Sequence, residues 1–383
     1  MRGTVIKRGK SWAVVVDVGR DPFTGRRVRR WHSGYATKRA AERARTEVLS
    51  RLDHGTYVEP DRRALGPYLE VDWLPAMRAC VRASTWDSYA RNIRLHIVPA
   101  LGGVALQALT PARLNEFYAG LLQDGRTDGR GGLAPKTVRY LHGILRKALA
   151  DAVRWNLVQR NVADQADAPS RAGAADMMTW TAEELGRFLD FVVDDRFYGA
   201  WVLAATTGLR RGEVLGLRWS DVDLDSGRLA VRQTLVSVAY ETKFSTPKTK
   251  RGRRSVSLDA TTVMALRSHR KRQLEDRMAW GSAYQDSGLV VTRENGVLVH
   301  PDRFTQMFDK QVKNSGLPRI RLHDLRHTHA TLALAAGVHP KVVSERLGHA
   351  TVAFTLDVYS HAVPALQEEA ADRVAALIFR RAR

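Results

Sequence analysis

Three histidines and an arginine fall within the stretch HDLRHTHAT (323–331). Imidazoles and a guanidinium packed so closely could hold a metal, move a proton or grip an anion. His323 and Arg326 stand three apart and would share a helix face, while His323 and His327 have the four-residue spacing of a ligand pair. No HExxH pattern is present and no cysteine or carboxylate set completes a zinc site, so no metal is expected. The bland reading is a buried capping histidine.

Three further places carry residue types fit for chemistry. In TGLRRGEVLGLRW (207–219), Arg210 follows Gly208 at a helix-to-loop corner that could aim a guanidinium inward. In TPKTKRGRR (246–254), lysines crowd what reads as a hairpin tip. In LGHATVAFTLDVYSH (347–361), His349 follows a glycine helix stop and Tyr359 comes ten residues later. Taken singly, these are a surface charge, a solvated basic turn and a core tyrosine.

Taken in order, Arg210, Lys248, HDLRH (323–327), LGH (347–349) and Tyr359 resemble the motif set of the tyrosine recombinases of the phage integrase family. The resemblance runs over residues from about 1 to 375, and the N-terminal segment makes bacteriophage and integrative-element integrases the nearest subgroup. It implies site-specific cleavage and rejoining of DNA through a 3′-phosphotyrosine, without metal, ATP or another cofactor. Tyr359 would be the nucleophile, Arg210 and Arg326 the clamp on the non-bridging oxygens, and His323 the general base. His349 would hydrogen-bond the phosphate, and Lys248, with Lys250 as fallback, would protonate the leaving 5′ oxygen. Glu213 would orient Arg210 or its loop, leaving His327 and His329 as structural.

These residue types suit that reaction. Guanidiniums offer paired donors to a phosphorane and never lose their charge, so two of them can replace metal ions electrostatically. An imidazole titrates near working pH. No GxxxxGK[ST] run is present, in keeping with a reaction that needs no nucleotide. Two rivals remain: a type IB topoisomerase, whose relaxation would ignore sequence, and a non-catalytic DNA-binding regulator with an idle site. A metal-dependent transposase would instead fail in EDTA.

Composition agrees with a polyanionic partner. Lys and Arg total 61 against 40 acids, a net charge of +21, and the pI is near 10.6. No apolar run approaches the roughly 18 residues needed to span a bilayer, and the N-terminus is a poor signal peptide, so a cytoplasmic, nucleoid-associated protein is expected. The one cysteine, Cys80, precludes an internal disulfide framework.

The elements that must position these residues imply a multidomain chain, mainly α with small antiparallel β-sheets. SWAVVVDV (11–18), the turn DPFTG (21–25) and RRVRRWHS (26–33) read as a hairpin that Met1–Ile6 could widen, backed by a helix over 37–53 with His54-Gly55 as its stop. This arm-type DNA-binding domain, 1–60, would present Arg26, Arg27, Arg29 and Arg30 on the sheet face. A helical core-binding domain follows at 61–165, with helices over 84–102, 110–122 and 135–155, then a linker at 166–176. The mixed α+β catalytic domain, 177–383, opens with a capping box, Thr181 and Glu184, and continues through a buried helix at 197–208. A strand run over 228–238 and the 246–258 segment would form a small sheet there, and a tail helix over 364–379 packs in cis or on a neighbour. Strand exchange between two duplexes implies a homotetramer on double-stranded DNA, with accessory excision or DNA-bending proteins as possible further partners.

Overall fold

The computed structural model describes residues 3–21, 23–170, 178–247, 252–349 and 351–359, together with 374, 375 and 378. It is mainly helical with small antiparallel sheets and divides into two compact units, 1–173 and 174–383.

In the first unit, alternating apolar residues fold as three antiparallel strands, β1 (Gly3–Arg8), β2 (Ser11–Arg20) and β3 (Arg27–Tyr35). Thr37 caps α1 (Lys38–Asp53) by accepting from the Ala40 N–H at 3.2 Å. His54 and Gly55, at φ +67°, end it. Val14 and Val16 of β2 are buried against Ala41 and Val48 of α1. The pleat places Arg27, Arg29 and Trp31 on the opposite, open face, where Arg8 stacks over Trp31 at 5.8 Å.

The four expected arginines therefore do not share one face. Arg26 belongs to the turn, and Arg30, opposite buried Val16, lies on the helix side with an ion pair to Glu59 at 2.6 Å. The cause is the strand period of two, which separates Arg29 from Arg30.

The helices that follow are α2 (Leu65–Pro67), α3 (Leu74–Arg78), α4 (Ala83–Asn92), α5 (Val98–Leu101), α6 (Pro111–Asp124) and α7 (Pro135–Arg154). Two π-helical segments, Tyr68–Trp73 and Ile93–Ile97, join α2 to α3 and α4 to α5. The helix expected over 84–102 runs through Pro99: the Val98 N–H reaches back to the Ile93 carbonyl, and that widened turn carries the chain past the proline. Leu74 N–H does the same with Leu69 ahead of Pro75. α7 buries Val138, Leu141, Ile144, Leu145 and Leu149 on one stripe. Buried Asp151 accepts from Trp73 Nε1 at 2.8 Å and pairs with Lys147 and Arg154.

The second unit starts with α8 (Ala182–Phe191), whose Thr181–Glu184 capping box is formed in both directions. Next come α9 (Tyr198–Thr207) and α10 (Arg211–Gly216). Strands β4 (Val222–Asp223), β5 (Arg228–Val231), β6 (Thr234–Val238), β7 (Glu241–Ser245) and β8 (Arg254–Ser257) form two sheets, β4-β5-β8 and β6-β7. The single strand run expected over 228–238 is thus split between sheets. At the break, Gln233 donates to the Gly216 carbonyl rather than joining a ladder. The remaining helices are α11 (Ala260–Trp280), α12 (Pro301–Ser315), α13 (Asp324–Ala335), α14 (Pro340–Leu347) and α15 (Val352–Tyr359). Trp180, Phe188, Trp201, Phe304 and Phe308 form the aromatic centre of this core, with Trp201 and Phe304 stacked at 4.4 Å. Among the described residues no helix is long and apolar enough to cross a membrane.

Candidate active site

Helix α9 is apolar on every side and therefore runs through the core, ending at Gly208. Gly208 has φ +63°, and a Cβ there would approach Leu347 Cδ2 to 2.5 Å and His329 Cδ2 to 2.9 Å. Only glycine satisfies both the left-handed turn and the contact. The turn delivers Arg210 to the N-terminal cap of α10, whose third residue, Glu213, accepts from the Arg210 backbone N–H at 3.1 Å. Arg210 Nη1 donates to Glu213 at 2.8 Å and Nη2 to the Gly348 carbonyl at 3.4 Å.

Glu213 is buried, which pushes its carboxyl up. The hydrogen bond and charge of Arg254, followed by the charge of Arg210, outweigh that and hold it below the usual carboxylate range.

Arg326, in the first turn of α13, is buried, and each Nη atom donates at 2.7 Å to a helix-ending carbonyl, Gly208 of α9 and Leu347 of α14. Its cation rests where two helix dipoles are negative. The α14 end is a Schellman turn: Gly348 has φ +67°, and the His349 N–H reaches the Ser344 carbonyl at 3.0 Å. His349 is buried and lies 2.8 Å from Thr355 Oγ1 through Nδ1. Burial, then the charges of Arg326 and Arg210, lowers it to about 3, so its imidazole is neutral.

His323 takes the cap position of α13, next to Asp324, which accepts from the Arg321 backbone and guanidinium. Its ring reaches solvent, yet the protein packed around its inner side, then Arg326, depresses its basicity. His327 meets it edge to face at 5.0 Å and is lowered to about 4 by burial, then by His323. Among the described residues, no third His, Cys, Asp or Glu joins this pair in a group able to hold a metal ion. His329 faces the other way: Nδ1 lies 3.1 Å from the Ala205 carbonyl, and Nε2 accepts from Arg346 at 3.3 Å.

The fold therefore gathers Arg210, Glu213, His323, Arg326 and His349 where α9, α13 and α14 end or begin. Tyr359 is the last residue of α15, one helical turn beyond Thr355. Lys248 and Lys250 lie outside the described residues, as does the expected tail helix apart from positions 374, 375 and 378. Two residues escaped the sequence reading, Arg254 and Thr355. Arg254 stands in a run of basic residues, and Thr355 shows no local signal beyond its place between LGH and Tyr359.

The sequence profile of the phage integrase family matches residues 180–365. An arm DNA-binding domain profile matches 5–52, and an N-terminal SAM-like domain of phage integrases matches 69–122. The integrase of Mycobacterium phage D29 is 30% identical, covering 76% of this chain and 74% of its own. The chain belongs to the phage integrase family. This recombinase is also 28% identical to a protein of Caldanaerobacter subterraneus subsp. tengcongensis described as tyrosine recombinase XerC-like, covering 94% of each. Its fold is similar to that of the Tn1549 transposon integrase in complex with a circular intermediate DNA: TM-score 0.65, 22% identity, 80% of this chain and 98% of the other. It is a tyrosine recombinase, a site-specific DNA integrase.

Proposed function

We propose that this integrase cuts and rejoins DNA at its attachment sites through Tyr359. The phenolic oxygen attacks the phosphorus, the P–O5′ bond breaks, and a 3′-phosphotyrosine ester and a free 5′ hydroxyl result. That ester retains the bond energy needed for rejoining. Arg210 and Arg326 clamp the non-bridging oxygens, His323 takes the phenol proton, Lys248 supplies one to the departing 5′ oxygen, and His349 donates to the phosphate. No metal ion or ATP enters.

The observation that carries this reading is the shared grip of Arg210 and Arg326 on one corner. Their guanidiniums hold the successive carbonyls of Gly348 and Leu347, directly before His349. Two fixed cations and a neutral imidazole are thereby preorganised around one small volume, matching the charge that develops on a phosphorane. Loss of one such clamp raises the barrier by about 2–4 kcal/mol.

The partner is double-stranded DNA, core sites for the helical segment 61–165 and arm sites for residues 1–60, in the cytoplasm of a bacterial host. The linker is 166–176 and the catalytic segment 177–383. Exchange of strands between two duplexes calls for four protomers, with accessory proteins setting direction.

The test is a duplex spanning the element's junction, nicked beside the cleavage position, which traps covalent protein. Wild-type protein gives an SDS-stable adduct in EDTA; Tyr359→Phe gives none while binding the duplex as before. An adduct that persists in Tyr359→Phe moves the nucleophile elsewhere.

A further inference from the structure

We infer that Arg254 is a positioning residue for the phosphate clamp: from β8 it fixes Glu213, and through it Arg210, while tying both to the helix end that carries His349. The inference rests on the roles just proposed for Arg210 and His349 and adds a residue those roles do not include.

The geometry is that of a strut. Arg254 and Glu213 side chains are 6% and 4% exposed, so their ion pair is sealed from water. Arg254 Nη2 donates to Glu213 Oε2 at 2.9 Å and Nη1 to Oε1 at 3.3 Å, a two-pronged grip. The same carboxylate accepts from Arg210 twice, through Nη1 at 2.8 Å and the backbone N–H at 3.1 Å. Glu213 is thus held by two arginines from different elements, and Arg210 alone reaches the surface, at 42% exposed.

Arg254 has donors left for two more partners. Nε donates to the Arg346 carbonyl at 2.5 Å, inside the last turn of α14, three residues before His349. Nη1 also reaches the Gly252 carbonyl at 3.2 Å, which fixes where the basic segment containing Lys248 re-enters β8. One planar guanidinium therefore joins α10, α14 and the end of that segment. Neutralising Glu213 could be left to Arg210, so a second arginine sealed at the cost of its own hydration needs another reason. Geometric control of the reacting groups supplies one. A lysine has the charge but not the fork, and one ammonium nitrogen cannot reproduce the two-pronged grip on the carboxylate together with the bonds to both carbonyls.

The charged groups acting on Glu213 are Arg254 from β8 and Arg210 at the start of its own helix. Of the other elements packed on α10, β6 has no ionisable residue and α9 only Tyr198 at its far end. α12 meets it through Arg211, which binds Asp302, Thr305 and the Pro301 carbonyl. Without Arg254, burial of Glu213 dominates and the carboxyl takes up a proton at a higher pH, slackening its hold on Arg210.

The experiment measures single-turnover cleavage of the nicked duplex against pH, with DNA affinity alongside, for Arg254→Met, Arg254→Lys and Arg254→Met/Glu213→Gln. Arg254→Met is expected to cleave at least tenfold more slowly at neutral pH, with DNA affinity within threefold, and its acid-side half-rate pH moves upward. Arg254→Lys returns that pH to the wild-type position without restoring the full rate. The double variant, which cannot titrate at 213, stays slow but loses the upward move. Cleavage within twofold of wild type in Arg254→Met overturns the inference, as does a slower rate with an unmoved acid limb. If Arg254→Met fails to fold, Arg254→Lys decides, since wild-type rates in it overturn the positioning role. A wild type that forms no Tyr359 adduct sinks the underlying function as well, which separates the two failures.

Discussion

His349 and Thr355 meet through Nδ1 and Oγ1 at 2.8 Å, both buried, linking the Schellman corner to the helix that ends at Tyr359. When the hydroxyl donates to Nδ1, the imidazole proton resides on Nε2, the tautomer able to donate to a phosphate oxygen. Thr355→Val keeps the volume and removes that bond, at a cost of about 1–3 kcal/mol. Cleavage in single turnover should fall about tenfold, since about 1.4 kcal/mol of barrier is one decade, with duplex affinity within about twofold as the binding control. An unaltered cleavage rate would show that the link does not set the His349 tautomer.

The pH dependence of cleavage should report His323. Burial, then Arg326, lowers its basicity, with Asp324 opposing and Arg210 assisting. A general base works while neutral, so the rate should be level through neutrality and fall only as pH drops through the lowered value, below the ordinary 6.5. His323→Gln should cost about 10²–10⁴ in rate and erase that limb. If the limb survives in His323→Gln with the same midpoint, another group is the base.

Stability should respond to a different histidine. Burial, then Arg346, lowers His329 from 6.5 to about 4. Between those values the unfolded chain binds a proton that the folded chain refuses, so stability falls as pH drops from 6.5 toward about 4 and is fully present above that window. His329→Gln can donate an amide N–H to Ala205 and accept from Arg346, reproducing both contacts of the ring without titrating. Thermal melts in a pH series should therefore give similar Tm values near neutrality and a shallower acid decline in the variant. Parallel curves would assign the acid loss elsewhere.

Local signals carried much of this architecture. α1 stops at the expected His54-Gly55, because a left-handed glycine is a property of a single residue. The mostly apolar 197–208 run read as a core helix because its pattern leaves no charged face. The widened turns ahead of Pro75 and Pro99 left no such signal, because hydrophobic periodicity does not record a π-helical segment. In the site, Arg210, His323, Arg326 and His349 stood out by their order along the chain. Arg254 did not, because KRGRR gives four similar basic residues and only a partner 41 residues away makes one of them a buried strut. Arg30 was misread on the same principle: its neighbour Arg29 points to the open face, and Glu59 decides the fate of Arg30.

That last distinction yields a prediction for arm-site binding. Arg27 and Arg29 lie on the open face of β3 with Trp31, whereas Arg30 is engaged on the helix side. Phosphate contacts release counterions, and each one lost lowers the slope of log affinity against log salt by about 0.9. Arg27→Ala and Arg29→Ala should each remove about that much from the arm-duplex slope, and the double variant about twice as much, since both side chains are exposed and the Arg27 pair with Asp17 is loose at 3.9 Å. Arg30→Ala should leave the slope unaltered, because its charge is already met by Glu59 at 2.6 Å. Fluorescence anisotropy on an arm-type duplex over a salt series measures all four. A slope that drops for Arg30→Ala and holds for Arg27→Ala and Arg29→Ala would put the DNA on the helix side of the sheet.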